Sequence, residues 1–328
     1  MSDTSGIGFD READTGPADE HISEAFALLG NETRLNILLA IWEKQVPLAE
    51  DNTVPFSRLF ERVNCDDRGT FSYHLDQLEG QFITQHTERG GYELTIPGLK
   101  LVRTIIAGTG VSDATLEPTD IDQPCPLCDA PTEIAYREGV MFLTCTECEG
   151  VAPGKADIES VLLGNYFEPA GVNGRSPEEL HAASVAASVR RARTLFNGLC
   201  PTCSGPVVGR LECCPNHEPT SDCANCGRII GAWAHLECRI CKHYAVPNPK
   251  WLALFHPAVV ALYDDYGVSP RVHAADFQSA RRVFGLVYDH ELDIVSVNPP
   301  QVTVTAAIDG NEVHLTFDET ASVVDVRR

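Results

Sequence analysis

The sequence predicts an α+β chain of several domains, and three observations carry that reading. An N-terminal stretch shows two helical apolar stripes, paired Cys-x2-Cys knuckles fill the middle, and alternating strands follow residue 285. At 328 residues, 43% of them hydrophobic, the chain can fill two or three ordinary cores. No apolar run approaches the roughly eighteen residues of a membrane span. Met1 to Asp19 also lacks a basic start followed by an apolar stretch, so a cytoplasmic protein with no membrane partner is expected. The formal net charge is −22, from 5 Lys and 20 Arg against 22 Asp and 25 Glu. A lysine-poor acidic surface keeps a protein soluble in high salt, which points to a halophilic source.

Residues 1–19 are rich in Asp, Gly, Ser and Thr and read as a disordered acidic tail. The first folded domain is expected over residues 20–110. His21 to Leu29 reads as a short helix, and Asn31 caps a second one that buries Leu35, Leu38, Leu39 and Trp42. Phe56, Leu59, Phe60 and Val63 recur at the spacing of one buried helix face, and a polar turn follows from Asn64 to Asp67. Asp66 and Asp67 are good N-caps for a further helix with Phe71, Leu75, Leu78 and then Phe82 inward. That assignment leaves Thr70, Ser72, Tyr73, His74 and Gln77 outward, a set of donors, acceptors and one aromatic ring. Such a face suits the DNA major groove, where side chains of this kind read base edges while Arg and hydroxyls hold phosphates. Phe82 to His86 and Gly91 to Thr95 alternate as two strands joined by Thr87-Glu88-Arg89-Gly90, and a helix with Leu99, Val102, Ile105 and Ile106 on one face ends at Gly108.

Three motifs arrive in order: Leu28-Leu29-Gly30-Asn31-Glu32-Thr33-Arg34-Leu35-Asn36-Ile37-Leu38, Phe71-Ser72-Tyr73-His74-Leu75, and Gly90-Gly91-Tyr92-Glu93-Leu94-Thr95-Ile96-Pro97-Gly98. Together they resemble the ArsR-type winged helix-turn-helix of prokaryotic transcription regulators, particularly the acidic forms of halophiles. The resemblance implies a recognition helix over Arg68 to Glu79 and a wing around Arg89 to Gly91; if the chain reads DNA, Arg68 and Arg89 are expected to hold phosphates. It also implies a homodimer, through the flanking helices, reading a two-fold symmetric double-stranded DNA site. The cysteine motif of the metal-sensing members is not visible near Cys65, so metal-regulated release is not implied. Charge weighs the other way. Residues 20–110 hold 8 basic and 13 acidic side chains, a net of −5, which leaves Arg58, Arg62, Arg68 and Arg89 as the local cations.

After a linker over residues 111–123, a ribbon is expected over 124–152. Cys125-x2-Cys128 and Cys145-x2-Cys148 flank two short alternating runs that turn at Gly139, which brings four sulfurs to one end of a hairpin. Four sulfurs leave no position for water, so a closed structural zinc site is expected, with rubredoxin-like iron and a thiol redox switch as alternatives. Residues 153–198 read as a helical connector: a helix over Asp157 to Phe167, a loop, and a helix over Pro177 to Phe196 capped by Ser176. Arg190, Arg191 and Arg193 sit at the end of the latter, where cations are favoured.

The second cysteine block spans residues 199–250. Cys223, Cys226, Cys238 and Cys241 make one expected site, and Cys200, Cys203, Cys213 or Cys214, and His217 make a second. An interleaved pairing of Cys200 and Cys203 with Cys223 and Cys226 stays open, so the chain is expected to hold two to three structural Zn2+ ions.

Residues 251–328 are expected to form an antiparallel sheet with a packed helix. Trp251 to Tyr263 is a helix begun or interrupted at Pro257, and Asp276 to Phe284 is a short helix or strand. Strands follow at Gly285 to His290, Asp293 to Asn298, Gln301 to Ile308, Glu312 to Phe317 and Ser322 to Val326, with a hairpin turn at Asp309-Gly310. The cysteine block and this end resemble the uncharacterised C-terminal region that accompanies such winged-helix domains in halophiles, which names no ligand or small-molecule effector. Absence of a Gly-rich phosphate loop, a nucleophile elbow and a His-rich catalytic metal motif argues against an enzyme. The expected function is therefore a DNA-binding transcriptional regulator, with a protein–protein adaptor as the alternative.

Overall fold

A computed structural model of the chain describes residues 25–47, 49–108, 114–151, 158–218 and 223–328. The expected tail over residues 1–19, the start of the first helix and part of the 111–123 linker lie outside them. The chain divides into two compact units, residues 1–112 and 113–328. Helices alternate with several antiparallel sheets, so the architecture is mixed α and β.

In the first unit, residues 25–29 are helical and precede α1 (Glu32–Trp42). The Asn31 carboxamide caps α1 by accepting from the N–H of Arg34 at 3.2 Å. Its buried stripe is Ile37, Leu38 and Ile41, while Leu35, Leu39 and Trp42 are only half-buried, which rotates the helix from the expected face. Helix α2 (Phe56–Val63) starts after Pro55 and stops at Asn64, whose φ of 54° is left-handed. Asp67 then opens α3 (Arg68–Leu78), its carboxylate accepting from the N–H of Thr70 at 2.6 Å. Rings of Phe56 and Phe60 meet Phe71 edge-on at 5.2 and 5.4 Å, fixing α2 across α3.

Strands β1 (Ile83–His86) and β2 (Gly91–Leu94) pair antiparallel from Ile83↔Leu94 to His86↔Gly91. Val54 bridges to Tyr92 alongside β2 through two backbone hydrogen bonds. Close approach explains two glycines: a Cβ on Gly91 would lie 2.9 Å from the Val54 carbonyl, and one on Gly98 only 2.2 Å from that of Phe82. Gly98 lies in α4 (Ile96–Ile106), which Thr95 caps.

Among the described residues, the second unit holds three antiparallel sheets. The first runs β3 (Leu116–Ile121), β4 (Thr132–Arg137), β5 (Val140–Cys145) and β6 (Val161–Tyr166), and the second β7 (Val207–Cys213), β8 (Ala232–Cys238) and β9 (Tyr244–Ala245). The third is a meander of β10 (Glu291–Val297), β11 (Pro300–Ile308), β12 (Asn311–Phe317) and β13 (Val323–Arg327). Asp309 and Gly310, with φ of 48° and 79°, make the expected β11–β12 hairpin turn. Helix α5 (Pro177–Phe196) opens on a Ser176/Glu179 capping box. After it come α6 (Pro249–Ala253), α7 (Pro257–Asp265) and α8 (Phe277–Asp289).

The expected modules share cores. Leu211, Ala234 and Leu236 of the second sheet pack with Val302, Val304, Leu315 and Phe317 of the third, while Ile134 and Leu143 of the first pack with Leu180 and Phe284 of α5 and α8.

Three assignments are corrected. Residues 116–121 form an edge strand within the expected linker, and Pro118 fits there because an edge strand has no partner on one side; the register also shifts between Leu116 and Thr119. Asp157 to Phe167 holds no described helix. Its apolar run is too short for periodicity to separate helix from strand, and pairing with β5 decides for β6. Gly285 does not start a strand, because Ala280, Val283, Phe284 and Val287 form one buried helical stripe that carries α8 through to Asp289.

Two buried histidines make this unit acid-sensitive. Burial pulls His181 and His290 down to about 4 from an ordinary 6.5. His290 is held neutral, Nδ1 donating to the Lys250 carbonyl at 3.0 Å and Nε2 accepting from the Tyr263 hydroxyl at 2.9 Å. The folded value is the depressed one, so stability is complete above pH 6.5 and falls as pH drops toward 4, by about 3 kcal/mol per histidine. His181→Leu is expected to melt with a shallower loss of Tm between those pH values; curves parallel to the parent's would contradict this.

Candidate metal centres and the outer face of the third helix

Twelve of the thirteen cysteines and one histidine need placing, and strand geometry places most of them. Hairpin β4–β5 pairs Thr132 with Cys145, which brings the Cys125–Cys128 turn against Cys145–Cys148. Sulfur separations are 3.6 Å for Cys125 to Cys148 and 3.5 Å for Cys128 to Cys145. Hairpin β7–β8 repeats the arrangement. Val207 pairs with Cys238, so Cys200 lies 3.5 Å from Cys241 and Cys203 lies 3.5 Å from Cys238.

At its other end, Cys213 pairs with Ala232, and the connection between the two strands gathers Cys214, His217, Cys223 and Cys226. There Cys214 is 3.8 Å from Cys223, and Cys226 is 3.7 Å from His217 Nδ1. In each of the three groups the ligand atoms all lie within 4.8 Å of one another, so each could hold a metal ion.

These distances fit a metal and not a disulfide. Sulfurs bonded to each other sit about 2.05 Å apart. A tetrahedron of sulfurs about 2.3 Å from a central zinc has edges of about 3.8 Å. Without a cation, four thiolates at such spacing would repel by about 5 kcal/mol per pair at an effective dielectric near 20.

Burial works against ionisation at Cys145 and Cys200, yet N–H groups of Cys148 and Glu147 at the first, and of Cys203 and Thr202 at the second, hold each thiol at about 7. In the third cluster the N–H groups of Glu218 and Asn225 bring Cys223 to about 6. Burial drives Cys125 upward and pushes Cys214 and Cys241 up to about 12. Cys145, Cys200 and Cys223, one in each cluster, are thus the thiols whose surroundings favour the thiolate. With four protein ligands apiece, none of the clusters keeps an open position for a reacting water.

The third centre has a fixed histidine. His217 Nε2 donates to the Ile229 carbonyl at 2.9 Å, which leaves the Nδ1 lone pair aimed at the sulfurs. Gly231 makes room for that ring, since a Cβ there would lie 2.4 Å from it. Gly231→Ala is therefore expected to displace His217 and cost one metal equivalent per chain; an unchanged metal count would contradict the assignment.

Two sequence expectations change. Cys213 is not in a cluster, and Cys214 takes the place, because neighbouring residues at a strand end face opposite sides. Cys213 packs against the apolar core instead, where burial raises its thiol to about 11. Nor do Cys223 and Cys226 join Cys238 and Cys241, or Cys200 and Cys203. Strand β8 lies between Cys226 and Cys238, and its seven residues span about 20 Å, so the two knuckles occupy opposite ends of the hairpin. Cys65 is half-buried beside the Asp67 carbonyl, outside the three groups.

On α3, Arg68, Thr70, Ser72 and Tyr73 are exposed, Tyr73 to 56%, and Gln77 is half-buried. His74 is not outward. At 9% exposure it shares the buried stripe of Phe71, Leu75 and Leu78, and burial, then Arg34, lowers its pKa. Sequence reading missed this by sorting on polarity where position decides. The nearby cations are partly engaged. Arg89 donates to the Glu50 carbonyl at 3.1 Å and lies 3.9 Å from Asp51, while Arg62 holds Glu43 at 2.6 Å. Arg68 stands 5.3 Å over the Phe60 ring.

Residues 122–323 match the family described as Domain of unknown function (DUF7351), which is more than half of the chain. The chain belongs to the DUF7351 family. Its DUF7351 region contains all three clusters and every strand from β4 to β12, and leaves out β3 and all of β13 but Val323. Residues 22–105 match a second family, Domain of unknown function (DUF7347), which covers the helices and hairpin of the first unit. No curated protein and no solved structure matches the chain.

Proposed function

We propose that the protein is a DNA-binding transcriptional regulator, in which the first unit is an ArsR-like winged helix-turn-helix acting as a homodimer and the second carries structural zinc. The observation that carries this reading is the outer face of α3. A short helix capped by Asp67 presents Arg68, Thr70, Ser72 and Tyr73 to solvent, its opposite side seated on the core. Those groups offer hydrogen bonds and an aromatic edge suited to a major groove. The β1–β2 hairpin supplies the wing, with Arg89 beside its turn at Gly90. Exposed Ile96 and Ile106 on α4 suit a dimer contact.

Zinc is preferred over iron because a closed centre of three cysteines and one histidine, beside two centres of four cysteines each, is a frequent structural zinc set. Between them the three centres support the β4–β5 and β7–β8 hairpins and perform no chemistry. An acidic surface and arginines already paired mean that affinity rests on base contacts more than on phosphate charge.

The same charge favours a second reading, a protein–protein adaptor, since a net of −22 repels nucleic acid. Selection from a random duplex library in molar KCl separates the two. Enrichment of one two-fold symmetric motif supports DNA reading; no enrichment, with a basic protein partner captured instead, supports the adaptor.

A further inference from the structure

Within residues 113–328 lies a cavity of about 380 Å³ that belongs neither to the metal centres nor to α3. Such a volume falls in the roughly 300–1,000 Å³ range of small-molecule sites. Phe142 of β5, Leu163 of β6, Val185 and Val189 of α5, Trp233 of β8 and Trp251 of α6 line it. Most of this lining is apolar, and the polar groups are few and placed. Asn165 and Asn248 bring buried amides. Tyr166 and Tyr244, both exposed, join hydroxyls at 3.2 Å.

The group that sets the chemistry is Arg191. It lies half-buried on the α5 wall, donates one N–H to the Tyr166 carbonyl, and has further donors on the same planar fork. Burial lowers its pKa and nearby Glu168 raises it, so it remains a cation beside an apolar chamber. An uncharged occupant would deepen the desolvation of that guanidinium, and an amine would add a like charge. A carboxylate would pair with it bidentately and leave its body among the aromatic and branched side chains.

We propose that this cavity binds a small organic acid whose ring-sized or branched apolar body fills the chamber and whose carboxylate meets Arg191. Short-range pairing inside an apolar wall is screened little by salt, so the site works in the medium that an acidic surface suits. The site is independent of the DNA-binding reading, and its test contains no DNA.

Two of the three tryptophans line the cavity, so their emission reports occupancy of the full-length, metal-loaded protein. The probes are 4-phenylbutyrate and its uncharged amide. The acid is expected to shift the emission saturably at one per chain and to bind about 10-fold or more tightly than the amide. Arg191→Met should bring the acid to the amide's level, and Ala192→Phe, which fills the chamber, should remove both responses. Metal content and Tm of each variant show whether it is folded, and the comparison of acid with amide on the parent needs no variant. No saturable response to either probe, equal affinity for the two, or a folded Arg191→Met that still prefers the acid would overturn the proposal.

Discussion

Removing metal from the chain, by chelation at neutral pH or by Cys238→Ser, is expected to unfold the second unit cooperatively rather than loosen one turn. Cys238 is the last residue of β8 and is fully buried, and the same strand sends Ala234 and Leu236 into the core shared with the third sheet. A structural zinc contributes roughly 10 kcal/mol or more to folding in isolated fingers, while a whole domain is stable by roughly 5–15 kcal/mol. Loss of the centre of Cys200, Cys203, Cys238 and Cys241, which holds the end of a core strand, thus removes most of the margin. Serine cannot supply a thiolate, and Cys200, Cys203 and Cys241 would be left without a fourth partner. Thermal denaturation in high KCl should show the second unit's transition lowered by tens of degrees or absent, with the first unit's transition unchanged. A metal-free chain that melts like the loaded one would contradict a structural role.

The second large effect is expected at α3. Tyr73→Ala combined with Ser72→Ala should weaken binding to a selected duplex by about 30-fold or more, because two lost base contacts at roughly 1–3 kcal/mol each cost at least about 2 kcal/mol. Both side chains are exposed, so Tm should move little. His74→Ala should behave in the opposite way. It empties a buried position on α3 near Arg34 of α1, and so lowers Tm by several degrees. Equal binding by the double variant and the parent would reject α3 as the reading element, whatever the fate of the metal centres.

How much of this was legible in the sequence depended on whether chemistry or register was being asked for. Cys-x2-Cys knuckles declare themselves, since two sulfurs three residues apart can share one ion, and all three metal groups draw on residues visible in the chain. Their partition was not legible. It depends on Val207 pairing with Cys238 and Cys213 with Ala232, which spacing alone does not set. The Cys213-Cys214 ambiguity has the same origin, because one step along a strand reverses the side that a residue faces.

Capping residues were read well. Asn31, Asp67 and Ser176 each accept the expected N–H, since a side-chain oxygen at a helix start acts within one turn. Strand β6 was misread where pairing with β5 overrides a short apolar pattern, and the end of α8 where a helical stripe running on to Val287 was taken for alternation. The cavity was beyond sequence reading, for its walls come from residues 140 to 255 across two sheets and two helices.

Native mass spectrometry of the full chain tests the account most directly, by counting metal in three proteins that differ by one sulfur. The partition into three centres predicts three ions in the parent, three in Cys213→Ser and two in Cys214→Ser. Loss of an ion from Cys213→Ser, or none from Cys214→Ser, would contradict it.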